Sequence, residues 1–318
     1  MTDVARLAGV SPALVSIVMR GVPGASEATR TRIKATADSI GYVPDRRAQK
    51  LRQTTSRLLG VMFDLQQPFH GDLVEHIYAA ADTAGYDVML SAAAPSRAED
   101  AALRSLTRER CEAAILLGPI SDAGSFAALG NYVPTVTVMR SSGADGVGSV
   151  RSDDVAGVGL AVDHLIELGH RRILHIDGGR APGAEDRRSG FFGAMDRHGA
   201  AHSAVVVAGG PTETDGADAT ERALRHESFT AIVAFNDRGA MGALDHLRRA
   251  NISVPQTVAV TGYDDSRLAD LAHVQLTSIS QNAAALAKAA VDGALSQVAG
   301  EEPRDTVLAP RLVRRSTT

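Results

Sequence analysis

Asp264 and Asp265 are adjacent carboxylates behind the apolar run Val258–Thr261, and they are the pair in this chain most open to an acid–base or cation-binding reading. Their spacing argues against it. Adjacent residues on a strand point to opposite faces, so only one of the two lines a given cleft. The ten histidines are dispersed, and His164 and His170 stand six apart rather than at the i, i+4 spacing of a helical metal pair. No GxxxxGK[ST] phosphate loop is present. Gly157-Val158-Gly159 has the look of a dinucleotide loop, but it follows Arg-Ser-Asp-Asp rather than a hydrophobic strand and lacks the third glycine. Nothing beside the single cysteine, Cys111, marks it as a nucleophile. The residues therefore point away from an enzyme, and no metal or cofactor is expected.

Recognition chemistry fits better. Planar polar groups at the ends of parallel strands satisfy ligand hydroxyls, often with an aromatic beneath the ring. Asp64, Phe69 and His70 follow one strand candidate, Arg140 another, Asn236 and Asp237 a third, and Asp264 a fourth. Asp237 reads as a helix N-cap before it reads as a ligand contact, and Phe69 is open to a lid-packing role. The chain has no Trp and only twelve Phe plus Tyr, which favours a small, polar ligand over a large aromatic one.

The elements that position these groups alternate. Strands are predicted at Leu58–Phe63, Asp87–Leu90, Ala113–Leu117, Thr135–Met139, Ile173–Ile176, Ala204–Val207, Ala231–Phe235 and Val258–Thr261, with helices between them such as Asp72–Thr83, Ala156–Leu168 and Asp237–Arg249. Alternating β and α predicts parallel sheets with helices on both faces. The pattern runs twice, to about Val150 and again from Ile173, which predicts two lobes.

The first fifty-seven residues differ in charge. They hold ten Lys and Arg against four Asp and Glu, a net +6, while the whole chain is −4 and the remaining 261 residues are therefore −10. A basic head on an acidic body points to a polyanion contact made by one module. Val4, Ala5 and Ala8 share a helix face, Gly9 can end that helix in the left-handed conformation, and Val10 packs into the corner. Ser11 and Pro12 form a good N-cap and first helical position for a second helix with Val15, Val18 and Met19 inward. Its outward face is Pro12, Ala13, Ser16, Ile17 and Arg20. A third helix is capped by Ser26, lined by Ile33, Ala37 and Ile40, and closed by Gly41. This is a helix-turn-helix. Taken alone the pattern fits a solvated helical subdomain equally well; the charge split favours DNA.

The segments DVARLAGVS and SEATRTRIKATADSIGYVPDRRAQKLR resemble the N-terminus of the LacI/GalR family of bacterial transcription regulators. FDLQQPF, HLIELGHRRILHIDG, FNDRGAMGAL, VPQTVAVTGYDD, LTSISQ and APRLVRRST continue the resemblance, in family order, along essentially the whole chain. It implies a small all-α helix-turn-helix domain followed by a two-lobed α/β, periplasmic-binding-protein-like effector domain with parallel sheets. The corresponding division is 1–44 for the head and 45–57 for a hinge helix or linker, then 58–318 for effector binding and dimerisation. Lobe 1 is expected at about 58–149 plus about 280–306, and lobe 2 at about 150–279 plus about 307–318.

The resemblance further implies DNA contacts from Pro12, Ala13, Ser16, Ile17, Arg20, Tyr42, Arg46 and Leu51, the last as an apolar wedge in the minor groove. It implies effector contacts from Phe69, His70, Arg187, Asn236, Asp264 and Gln281. The expected partners are a pseudo-palindromic double-stranded operator, a sugar-like effector and a second copy of the chain. Three departures stand out. Ile17 occupies a position that is often Arg, and Ile cannot grip guanine O6 and N7. Arg20 stands where Asn is common, and Met139 where many relatives carry Asp. The family's upstream threonine is absent, so Thr2 or Asp3 is expected to cap the first helix unless the native start lies upstream.

A lone cysteine excludes an intrachain disulfide and fits a reducing compartment. With no signal-like N-terminus and no long apolar run, a cytoplasmic location with no membrane contact is expected. The reading is a repressor controlled by a small polar effector. The alternative is a stand-alone sugar-binding protein of the same fold, against which the basic head and the missing signal argue.

Overall fold

The computed structural model describes residues 1–19, 21–42 and 55–318. Arg20, Arg46, Leu51 and residues 45–54 of the expected hinge lie outside the described residues. The chain divides into a head, Met1–Ser56, and a body, Arg57–Thr318.

In the head, α1 (Thr2–Ala8) ends at Gly9, whose φ of 64° is left-handed and whose amide reaches the carbonyls of Ala5 and Arg6. Val10 N–H donates to Ala5 at 3.0 Å, closing the turn. Ser11 Oγ accepts from Leu14 N at 3.2 Å at the start of α2 (Pro12–Met19). Ser26 Oγ accepts from Thr29 N at 3.4 Å at the start of α3 (Glu27–Ser39). Val4, Ala5, Ala8, Val15, Val18, Ile33 and Ala37 form the common core, with Val10, Met19 and Tyr42 packed against it. Arg30 ties the α2–α3 loop down by donating to the carbonyls of Val22 and Ala25.

Two expectations for the head fail. Ile40 is 42% exposed, because the helix stops at Ser39 and the chain turns away before Ile40 can face the core. Neither Thr2 nor Asp3 caps α1. Met1 is the N-cap residue and makes no side-chain cap bond, while Thr2 and Asp3 are already helical.

The body contains two six-stranded sheets. The first is built from β1 (Leu58–Asp64), α4 (Pro68–Thr83), β2 (Asp87–Ala93), α5 (Glu99–Arg108), β3 (Ala113–Leu117), α6 (Ala123–Gly130), β4 (Thr135–Val138) and β5 (Val147–Ser152). The second is built from α7 (Asp154–Glu167), β6 (Ile173–Ile176), α8 (Ala184–Arg197), β7 (Ala204–Val207), α9 (Glu213–His226), β8 (Ala231–Ala234), α10 (Asp237–Arg249), β9 (Ala259–Asp264) and β10 (Thr277–Ser280). The chain then returns to lobe 1 as α11 (Ala283–Val298) and β11 (Asp305–Leu308), and to lobe 2 as β12 (Arg311–Val313).

The strand orders are β11-β5-β4-β3-β1-β2 and β12-β10-β9-β8-β6-β7. Every pair is parallel except β10–β12. In the first sheet the direction of winding reverses between β1 and β3, and in the second between β6 and β8. Ligands gather at such reversals because the loops leaving the two strands diverge there and open a crevice.

Strands β3, β4, β6 and β8 are buried along their whole length, as two-sided coverage by helices demands. In lobe 1, α4 and α11 cover one face through Leu73, Ile77, Leu286 and Val291. In lobe 2, α9 and α10 approach through glycines: a Cβ at Gly242 would overlap the Glu213 carbonyl, and one at Gly216 would overlap that of Gly239.

Four strands escaped the sequence reading: β5, β10, β11 and β12. Each is a chain crossing or an edge rather than part of a clean β–α alternation. The crossing back to lobe 2 falls between Leu308 and Arg311, slightly later than the expected 306, and β5 carries lobe 1 to Ser152 rather than 149. The helix expected from Asp72 starts at Pro68, so Phe69 and His70 belong to its first turn. Among the described residues, no single helix is long and apolar enough to cross a membrane.

Candidate functional site

A cavity of about 620 Å³ lies between the two lobes, at the strand ends beside both winding reversals. From lobe 1 it is lined by Asp64, Gln67, Phe69, His70, Gly118, Ile120 and Met139. From lobe 2 it is lined by Gly178–Pro182, Arg187, Gly209–Pro211, Asp215, Phe235, Asn236 and Asp264.

Arg187 anchors the lobe-2 wall. It sits in the first turn of α8 and is 2% exposed. Its Nε donates to Asp154 Oδ1 at 3.0 Å, and its Nη1 donates to the Phe235 carbonyl at 2.7 Å. Its guanidinium lies 3.7 Å from the Tyr263 ring centre and 4.6 Å from that of Phe235. Arg187 Nη2 is 4.0 Å from Asp264 Oδ1. A buried charge needs such company to offset its lost hydration, and the nearby carboxylate of Asp154 keeps the guanidinium protonated despite that burial.

Asp264 is the cavity's principal carboxylate. It takes φ 111°, in the left-handed half of the map that few side chains adopt. Gln281 Nε2 donates to its Oδ1 at 2.7 Å. Burial pushes the Asp264 carboxyl up to about 8; Arg187 works against that rise and Asp237 reinforces it. Asp237 is likewise pushed up to about 6 by burial, although Ser278 Oγ and the Ser266 N–H and Oγ all donate to it. Asp265, the first residue beyond β9 and left-handed at φ 53°, pairs with Arg315 at 2.7 Å.

The lobe-1 wall is less charged. Asp64 N–H donates to His70 Nδ1 at 3.0 Å, so the proton of the neutral ring sits on Nε2. Burial lowers His70 to about 4, which keeps it neutral near pH 7. Met139 stands where β4 ends, at φ 72°, and lines the cavity. A left-handed non-glycine residue costs about 1–2 kcal/mol, a strain that clusters at functional positions.

The cavity thus brings together Phe69, His70, Arg187, Asn236 and Asp264 from distant parts of the chain. Three other residues sit differently from their sequence reading. Gln281 is buried behind Asp264 and is not among the lining residues. Asp237 is not the N-cap of α10: Asn236 is, with Oδ1 accepting from Gly239 N at 2.8 Å and Nδ2 donating to the Pro211 carbonyl at 3.1 Å. Arg140 leaves the cavity, stacks over Phe126 at 5.5 Å and donates to the Pro119 carbonyl at 2.9 Å. Tyr42 packs against the head's core, with its amide bonded to the Ala37 carbonyl at 2.8 Å.

Asp154, Phe235, Asp215 and the Gly178–Pro182 loop were not foreseen. Asp154 alone left a signal, as an acidic residue opening a helical pattern. On the head, Pro12 and Ala13 are exposed on α2 while Ser16 and Ile17 are half-buried. No group of three or more His, Cys, Asp or Glu among the described residues has a metal-binding arrangement.

Comparison with known proteins gives matches at both ends of the chain. Residues 1–45 match the model of bacterial regulatory proteins of the lacI family, and residues 162–318 match the periplasmic binding protein-like domain. The HTH-type transcriptional regulator GalR of Salmonella typhimurium is 34% identical over 98% of this chain and 94% of its own. The ribose operon repressor of Escherichia coli is 31% identical over 92% of this chain and 91% of its own. Among solved structures, a LacI transcriptional regulator from a Rhodococcus species is 62% identical, with a TM-score of 0.81 over 82% of this chain and 98% of that one. The lac repressor dimer bound to operator and an anti-inducer is 28% identical, with a TM-score of 0.84 over 99% of this chain and 98% of that one.

Proposed function

The chain belongs to the LacI family of bacterial regulatory proteins, and from that premise we propose that it is a transcriptional repressor whose grip on operator DNA is set by a sugar-like effector. Pro12, Ala13, Ser16 and Ile17 form the reading face of α2 in the major groove, with Arg20 as a further DNA contact. Tyr42, Arg46 and Leu51 belong to the segment that follows the groove, with Leu51 as the minor-groove wedge. Two copies of the chain bind a pseudo-palindromic site. Phe69, His70, Arg187, Asn236 and Asp264 hold the effector, with Gln281 fixing Asp264 from behind.

The observation that carries this reading is the buried Arg187 and Asp264 lining an interlobe cavity, with Asp154 paired to Arg187 behind them, on the same chain as a basic helix-turn-helix head. A ring of hydroxyls satisfies such a cluster without adding net charge. The effector shifts DNA affinity only through its different affinities for the two arrangements of the lobes. The names of relatives such as the ribose operon repressor support a sugar.

The test has two steps. Operator half-sites are first selected from a randomised duplex library with the full-length protein. Fluorescence anisotropy on the selected duplex then follows binding across a panel of pentoses, hexoses and disaccharides. One sugar changing the DNA affinity supports the reading. Failure to select any duplex removes the repressor function and leaves the stand-alone binding protein.

A further inference from the structure

We infer that Arg315, in the segment beyond β12, is a positioning residue for the interlobe cavity: by holding Asp265 it fixes the turn from which Asp264 presents its carboxyl to the effector. The inference rests on the effector-binding reading above and adds to it a residue that does not line the cavity.

Asp264 ends β9 at φ 111°, and Asp265 follows at φ 53°. The Cβ atoms of both residues disfavour this half of the map, so two of them in succession persist only where other contacts hold the turn. The turn is anchored on both sides. Ser266 N–H and Oγ donate to Asp237 Oδ2 at 2.7 and 2.8 Å. Asp265 N–H donates to Ser278 Oγ at 3.1 Å, and its carboxylate accepts from Arg315 Nη2 at 2.7 Å. The Arg315 and Asp265 side chains are 13% and 12% exposed, so water competes little for the pair.

Arg315 is itself fixed in place. Its Nη1 donates to the Leu276 carbonyl at 2.8 Å and its N–H to Thr277 Oγ1 at 2.9 Å. Before it, β12 pairs with β10; after it, Ser316 N–H donates to the Gln275 carbonyl at 2.9 Å and Thr317 Oγ1 to that of Val260 at 2.7 Å. Two further charges face the pair. Asp270 Oδ1 lies 3.6 Å from Arg315 Nε, and Arg311 Nη2 lies 3.9 Å from Asp265 Oδ2. Both belong to exposed side chains that water screens, which leaves Arg315 as the cation that holds Asp265. Without it the turn would relax toward ordinary backbone. Asp264 would then carry its carboxyl away from Gln281 Nε2, now at 2.7 Å, and from Arg187 Nη2, now at 4.0 Å.

The experiment is a double-mutant cycle in the full-length protein. It is read by calorimetric titration with the free sugar that a panel of pentoses, hexoses and disaccharides identifies. Arg315→Met is expected to weaken binding about tenfold when Asp264 is present and less than about twofold in an Asp264→Ala background, because coupled residues are not additive. Arg315→Lys keeps a cation beside Asp265 and should recover most of the loss. Asp265→Asn should behave as Arg315→Met does, and it serves if that variant does not fold. Unchanged affinity in Arg315→Met overturns the inference. So does an equal loss with and without Asp264, because Arg315 then only stabilises lobe 2. Either result leaves the sugar-regulated repressor standing. A crystal structure of unliganded Arg315→Met gives a second readout that needs no sugar. Asp264 is expected to leave φ 111°, and an unmoved Asp264 overturns the inference. If no sugar in the panel binds, the sugar reading falls, and the crystal structure alone decides whether Arg315 positions Asp264.

Discussion

Gln281 Nε2 donates to Asp264 Oδ1 at 2.7 Å, so a residue just beyond β10, where the chain turns back toward lobe 1, orients the carboxylate that faces the cavity. The glutamine does not line the cavity, yet it sits at one of the three crossings between lobes. Losing a hydrogen bond to a carboxyl that burial keeps largely protonated near neutral pH costs about 0.5–1.5 kcal/mol. Gln281→Leu is therefore expected to weaken effector binding about twofold to tenfold. Calorimetry with the effector would show unchanged affinity if Gln281 were only filling space.

Asp264 also makes a prediction about pH. Its carboxyl is pushed up to about 8 in the fold, against about 4 in an unfolded chain. The folded state thus holds a proton that the unfolded state has released. That stability is fully present below about pH 4 and is lost as pH rises through about 8. His70 and His175, both lowered to about 4 by burial, act in the opposite direction. They contribute above about pH 6.5 and lose their contribution as pH falls toward 4. Melting temperatures of Asp264→Asn should fall less steeply between pH 6 and 9 than those of the parent protein. Parallel curves would mean that Asp264 is ionised throughout.

Arg187 is the structural keystone of lobe 2. Arg187→Met would leave Asp154, 5% exposed, buried without its cation. Breaking a buried pair from one side costs about 3–5 kcal/mol. The midpoint of urea unfolding should drop accordingly. Asp154→Asn combined with Arg187→Met should recover part of the loss, because the orphaned charge is then gone.

The glycine contact between α9 and α10 is expected to tolerate nothing larger. Gly242→Ala places a methyl group against the Glu213 carbonyl, and both helices must shift. Overpacking of this kind costs about 1–3 kcal/mol. A thermal melt of Gly242→Ala matching that of the parent protein would show that the helices part freely.

DNA binding should be steeply salt-dependent, given the +6 charge of residues 1–57. Counterion release makes log K fall linearly with log salt, and anisotropy titrations at several salt concentrations measure the slope. Ile17→Arg should change the selected half-site rather than only weaken binding, because Arg reads guanine and Ile does not. An unchanged consensus would place Ile17 outside the reading face.

The sequence by itself determined the three helices of the head and eight of the twelve strands of the body. A Gly9 turn, a Ser11-Pro12 helix start and a Ser26 cap are local signals, and local hydrogen bonds decide them. The β–α alternation and its doubling were legible for the same reason: buried parallel strands are short apolar runs whatever lies around them. Only the tertiary structure decided which polar residues share a cavity. Arg187's nearest carboxylate is Asp154, thirty-three positions earlier, at 3.0 Å, while Asp264 stands at 4.0 Å. Gln281 and Arg140 carry side chains fit for ligand contact, yet one braces a carboxylate and the other braces a loop. Ile120 gave no signal at all, because an isoleucine after a strand looks like core until the fold leaves it in water. Chain crossings between lobes bring such residues together, and a pairing across a hundred positions leaves no periodicity in the sequence to read.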